Sequence, residues 1–189
     1  MSIASPQAVL DFWFSEENQP FWFVKSDEFD DKIREKFDRT LKAAAQGECA
    51  NWRESIEGRL AEIIVLDQFS RNLYRNTPAA FAQDSMALVL AQEAIKQPDF
   101  ASLPTLWRKF MIMPYMHSES ALIHQQAVEL FTALNDDYTL DFELRHKAII
   151  DKFNRYPHRN AILNRTSTAE EIEFLNQPNS SFFGVLNDS

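Results

Sequence analysis

Apolar side chains recur along most of this chain at steps of three and four residues, the spacing of one helix face. In "SDEFDDKIREKFDRTLKAAAQG", Phe29, Ile33, Phe37 and Leu41 fall at four-residue steps. Ser26 precedes the run as a cap, acids crowd its first turn, and Gly47 stops it. "SPQAVLDFWF" opens another helix with Ser5 at the cap and Pro6 at the first helical position. A third is expected from about Asn51 to Arg75, with Trp52, Ile56, Leu60, Ile63 and Ile64 inward. Gly58 inside it costs about 1 kcal/mol relative to Ala, so a packing reason is expected there. Further helices are expected behind Thr77–Pro78 or Asp84, in "LPTLWRKFMIMP" between prolines, from Ser118, and from near Thr139. The last, in "STAEEIEFLNQP", carries two overlapping capping boxes, Ser167 with Glu170 and Thr168 with Glu171. No run alternates as a strand does. The pattern predicts an all-α chain of about eight helices, paired antiparallel in a bundle or stack, as a single domain over 1–189.

Composition narrows the function classes. The 3 glycines are too few for a glycine-rich phosphate loop, whose backbone needs conformations open to glycine. One cysteine, Cys49, excludes an internal disulfide and a thiolate metal cage, which suits a reducing, cytoplasmic setting. The longest near-apolar run, 110–116, contains a proline and falls far short of the roughly 20 residues that span a bilayer. The opening residues lack the basic stretch of a secretion signal. The 16 Phe and 4 Trp make an aromatic core, and "DFWF" with "PFWF" is expected to clamp the first helix onto it.

The net charge of −9 argues against nucleic acid and anionic membranes as partners. Within 139–165, however, six basic residues face three acidic ones, a local +3. That stretch contains "IIDKFNRYPHRN", which echoes "VLDQFSRNLYRN" at 65–76. In each copy an Asp precedes an Arg by four residues, Asp67 with Arg71 and Asp151 with Arg155, so each pair can sit one turn apart on a helix. Either the arginines are neutralised by the carboxylates Asp67, Asp151, Glu119, Glu62 and Glu143, or the two segments converge and recognise an anion. The expected ligand site comprises Asp67, Gln68, Arg71, Asn72, His117, Glu119, Arg155, His158, Arg159 and Asn160, taking a small anionic group or an acidic peptide end. The alternative is a small-molecule enzyme using His117, His146 or His158 beside the arginines for acid–base or phosphoryl chemistry. The "ExxH" pattern occurs once, as Glu143 to His146, where a di-iron bundle needs it twice, and neither HExxH nor GxSxG occurs. No metal or cofactor is expected.

The segments "LAEIIVLDQFSRNLYRNTPAAFAQD", "MIMPYMHSES" and "DKFNRYPHRNAILNRTSTAEEIEFL", with the opening "VLDFWF", resemble domain-of-unknown-function family 924, a family of mostly bacterial proteins. The resemblance spans nearly the whole chain and implies a TPR-like all-helical fold without implying an activity. It carries over to Asp67, Gln68, Arg71 and Asn72, to His117, Ser118 and Glu119, and to Arg155, Pro157, His158, Arg159, Asn160, Arg165, Ser167 and Thr168. The chain departs from it at Ser70, where the family tends to have proline, and at Tyr156, where it tends to have a second aromatic. It has Asn154 and Asn164 where glycines are usual, and Asn tolerates the left-handed backbone such glycines supply. TPR-like stacks present grooves to peptides, so a peptide or protein partner is a further expectation.

The charge argument makes a direct prediction. In a filter-binding assay at physiological salt the chain should show no tight, salt-sensitive affinity for DNA.

Overall fold

A computed structural model describes residues 2–178 and 180 and is helical throughout, with no strand among the described residues. Two compact units make up the chain, Met1–Ser118 and Glu119–Ser189.

In the first unit, α1 (Pro6–Trp13) begins as the sequence predicts, with the Ser5 side chain accepting from the Ala8 N–H. Helix α2 (Asp27–Ala45) starts at Ser26, whose hydroxyl accepts from Phe29 N–H, and stops before Gly47 at φ +77°, a backbone region that favours glycine. Phe29, Ile33, Phe37 and Leu41 are all buried, as their four-residue spacing requires.

The continuous helix expected over 51–75 is instead broken into four pieces. A 3₁₀ turn spans Ala50–Glu54, α3 spans Ile56–Ile64, a π turn spans Val65–Phe69, and α4 spans Ser70–Leu73. Ser55 adopts an extended conformation and caps α3 through Gly58 N–H, ending the preceding turn. The inward set Trp52, Ile56, Leu60, Ile63 and Ile64 is buried as expected. Gly58 has the anticipated packing reason: a Cβ there would lie 1.9 Å from the Trp52 carbonyl oxygen. Counting the rod from α3 to α4 once, eight α-helical elements are present among the described residues.

Helices α5 (Asp84–Ala94) and α6 (Thr105–Met116) pack as a pair and complete this unit. Asp84 rather than Thr77 begins α5, and Pro78 opens a 3₁₀ turn of its own. Helix α6 runs past Pro114 instead of stopping at it, so His117 becomes its C-cap. The aromatic residues of α1 and the next loop clamp α1 onto the core as predicted. Trp13 is edge-on to Phe69 and Phe110, and Phe14 stacks on Trp107 at 5.2 Å. Trp22 Nε1–H donates to the Trp13 carbonyl at 2.9 Å. Trp13 Nε1 is buried without a hydrogen-bond partner among the described residues.

In the second unit, α7 (Ala121–Thr132) pairs with α8 (Asp137–Phe153), and the capping box of Thr168 and Glu171 opens α9 (Ala169–Leu175). Asn154 ends α8 in the left-handed conformation at φ 55°, and Asn164 repeats it at φ 54°. Tyr156, ahead of Pro157, is extended.

Gly58→Ala should therefore destabilise the protein by about 1–3 kcal/mol, because the added methyl meets backbone that cannot swing aside, outweighing the helix-propensity gain. Chemical denaturation checks this; an unchanged or raised midpoint would contradict it.

Candidate functional site

The π turn carries the centre of the first unit's polar cluster. A π turn inserts one residue into an α-helical path and occurs frequently at functional sites. Here it places Asp67 against the end of α6, where Asp67 Oδ1 lies 2.6 Å from His117 Nδ1. Gln68 donates from Nε2 to Asp67 Oδ2 at 2.6 Å. Arg71 donates from Nη1 to the Asp67 carbonyl at 2.8 Å and to Oδ1 at 3.3 Å, then closes a two-point fork on Asp84 at 2.8 and 3.0 Å. The Asp67 side chain is 1% exposed, the His117 ring 16%.

Burial works against ionising Asp67, but His117, Arg71 and Gln68 outweigh it and hold its carboxyl down at about 2. Burial, helped by the Arg71 charge, pulls the His117 pKa below its ordinary value, and Asp67 only partly opposes this. At neutral pH the pair is thus an ionised carboxylate and a neutral ring. A carboxylate can only accept, so the ring donates from Nδ1 and carries its basic lone pair on Nε2. Asn72 belongs to an adjoining pairing in the same unit. It donates to Asp30 at 2.7 Å, and Arg75 forks onto the same carboxylate.

The second unit holds Glu119, Arg155, His158, Arg159 and Asn160. Arg165 forks onto Glu119 at 2.7 and 2.9 Å, and Glu119 also accepts the Tyr156 N–H at 2.7 Å. Burial raises the Glu119 pKa, but the Arg165 and Tyr156 hydrogen bonds overcome it and leave it lowered. Arg155 forks onto Glu171 at 2.7 and 2.8 Å, and this, with the Thr168 N–H, holds the Glu171 carboxyl at about 2. Asn160 is 1% exposed and bridges the two pairs, donating to Glu171 at 3.2 Å and accepting from Arg165 at 3.0 Å. Arg159 lies over the Tyr156 ring at 4.7 Å. His158 donates from Nε2 to the Ser180 carbonyl at 2.7 Å.

Of the expected residues, the structure brings Asp67, Gln68, Arg71 and His117 into one group and Glu119, Arg155 and Asn160 into another. The i,i+4 pairing holds at Asp67–Arg71 and fails at Asp151–Arg155. Asp151 takes Lys147 instead, at 2.5 Å, because the left-handed Asn154 ends the helix and turns Arg155 toward Glu171. Three partners were absent from the sequence-level site: Asp84, Glu171 and Arg165. The residue pattern marks Glu171 only as the acid of a capping box and Asp84 only as a helix start. Cys49 is buried, and burial pushes its thiol up to about 11, which leaves it inert.

Taken together, these features define an all-helical protein in which arginine forks meet several buried acids and the buried Asp67 carboxylate anchors the His117 imidazole. The chain belongs to DUF924, a family of bacterial proteins of unknown function whose model matches residues 9–179. A structure of a protein of unknown function from Agrobacterium tumefaciens superposes with a TM-score of 0.87 at 34% identity, over 92% of this chain and 97% of that one. No curated protein matches the chain. No helix among the described residues is long and apolar enough to cross a membrane.

Asp67→Ala should cost about 3–5 kcal/mol, the usual penalty for stripping one partner from a buried ion pair. Because the folded pKa of Asp67 is depressed, its contribution is complete above about pH 4 and is lost as pH falls toward 2. Acid unfolding of the Asp67→Ala variant should accordingly be shallower over that window than that of the wild type.

Proposed function

We propose that the Asp67–His117 pair is the working centre of a small-molecule enzyme, with His117 as proton acceptor and Asp67 as the residue that positions it. The observation behind this reading is a buried carboxylate that fixes a neutral imidazole with its lone pair on Nε2, the arrangement used by general bases. The 2.6 Å contact and the 1% exposure of Asp67 make the ring's orientation rigid. Arg71, shared between Asp67 and Asp84, supplies positive potential beside the ring and suits a substrate with an anionic or carbonyl group.

Binding without turnover is the second reading, and the arginine concentration favours it. In either unit taken by itself, a small anionic ligand or acidic peptide end would compete with the carboxylates now on the arginine forks: Arg71, with Gln68 and Asn72, in the first, or Arg155 and Arg165, with Glu119, His158, Arg159 and Asn160, in the second. Each unit contains a packed helix pair, α5–α6 in the first and α7–α8 in the second, the kind of element that TPR-like recognition proteins are built from. A single, buried cysteine suits a cytoplasmic location.

The test is a panel of small esters, amides and phosphoesters assayed against pH, with the imidazole nitrogens followed by NMR. Enzyme function predicts turnover that rises as His117 loses its proton and falls by about 10²–10⁴ in His117→Gln at unchanged melting temperature. An anion that shifts the Arg71 signals and binds equally well to His117→Gln, with no turnover, would favour the binder. A His117 ring protonated on Nε2 and unaffected by Asp67→Asn would overturn the enzyme reading.

A further inference from the structure

The second unit contains a buried acid that the proposed chemistry does not use. Glu143 on α8 is 0% exposed, and so is His124 on α7, whose Nδ1 lies 2.7 Å from Glu143 Oε1. The other ring nitrogen, Nε2, lies 3.1 Å from the Tyr156 hydroxyl. Tyr156 in turn ties its backbone into the ion-pair cluster, donating its N–H to Glu119 and accepting from Arg165 at 3.0 Å. A continuous chain therefore runs from Glu143 through His124 and Tyr156 to the Glu119–Arg165 pair.

Glu143 Oε2 has no hydrogen-bond partner among the described residues. A fully buried carboxylate with one oxygen unpaired loses its hydration without replacement, which costs several kcal/mol; a neutral carboxylic acid does not carry that penalty. The charges nearby do not compensate. Besides His124, the cation acting on Glu143 is Lys147, one turn along the same helix, and its ammonium is drawn to Asp151 at 2.5 Å. On the far side of His124 stands Tyr156, with Arg159 over its ring; His146, three residues along α8 from Glu143, is edge-on to that ring at 5.7 Å and donates Nδ1–H to the Phe142 carbonyl at 2.6 Å.

We propose that Glu143 keeps its proton at neutral pH in the folded chain and that this proton holds Tyr156, and through it the Glu119–Arg165 pair, as a pH-sensitive switch in the second unit. Burial pushes the Glu143 pKa up, in the sense the geometry requires, with His124 opposing. The step itself is simple: the carboxylic O–H breaks, the proton passes to bulk water, and a buried anion remains beside His124. Relief of that anion requires water to enter, which loosens the hydroxyl of Tyr156. The sign follows from linkage. A carboxyl whose folded pKa lies above its unfolded value stabilises fully below the unfolded value, about 4.3, and loses that contribution as pH rises through the folded pKa.

The test uses the full chain with ¹³C-labelled glutamate carboxyls and ¹⁵N-labelled arginine side chains, titrated by NMR from pH 4 to 10. One carboxyl, absent from Glu143→Gln spectra, should stay protonated at pH 7 and titrate above it. The Arg165 Nε–H signal should move with the same midpoint in the wild type and not in Glu143→Gln. Denaturation should show the unfolding constant rising by up to about tenfold per pH unit from about pH 4.3 up to that midpoint and levelling off above it. If Glu143→Gln fails to fold, Tyr156→Phe serves in its place: it should leave the carboxyl titrating but uncouple Arg165 from it. A Glu143 carboxyl that titrates near the ordinary glutamate value, or an Arg165 signal indifferent to it, would overturn the proposal.

Discussion

The constraint on which this structure depends is the pairing of buried acids with arginine forks. An acidic chain that hides Asp30, Glu62, Asp67 and Glu171 must neutralise them, since an unpaired buried charge is far more costly than any surface contact is favourable. Arginine meets the need because its planar fork satisfies both oxygens of a carboxylate at once. Arg53 does so on Glu62, Arg75 on Asp30 and Arg155 on Glu171. These pairs join turns and helix ends that the aromatic core does not reach, so chain reversals as well as helices are fixed in place. Asp67 differs within this set because its partners include an imidazole, and that difference is the one the proposed chemistry draws on.

Much of the architecture was legible in the residue pattern, for identifiable reasons. The four-residue apolar steps of α2 fix a buried face whatever surrounds them, and Ser5, Ser26 and Thr168 cap their helices through local hydrogen bonds that need no tertiary information. Asn154 and Asn164 were readable as left-handed positions from their side-chain chemistry alone. What could not be read was where tertiary packing overrides local preference. Pro114 stays inside α6, and the rod after Ser55 takes up a π turn that no propensity announces. The Asp67–Arg71 part of the site was legible because those residues lie one turn apart, whereas the contact of Asp67 with His117 spans 50 residues and had no local signal. Asp84 and Glu171 were not legible either, because the contact of an acid with an arginine 13 or 16 residues away depends on how the intervening loop folds.

The two polar clusters also differ in what water can do to them. His117 and Arg71 keep a minor part of their side-chain surface exposed, whereas Glu143 and His124 have none. A partly exposed imidazole can exchange protons with solvent at every encounter, while a sealed one must wait for the structure to open. Proton transfer at the first is thus set by local chemistry, and at the second by the frequency of breathing motions.

The π turn has a consequence for how this chain can tolerate change in length. Each residue advances an α-helix by about 100°, so the extra residue between Val65 and Phe69 sets how Asp67 is turned relative to the helix before it, in a stretch where every residue from Leu60 to Ser70 is buried. Excising one residue there would restore a regular ladder of backbone hydrogen bonds and make the rod a better helix. It would also swing everything on one side of the cut by more than a quarter of a circle, turning the acid away from its imidazole. The least regular stretch of the rod is therefore the one whose length is least free to vary.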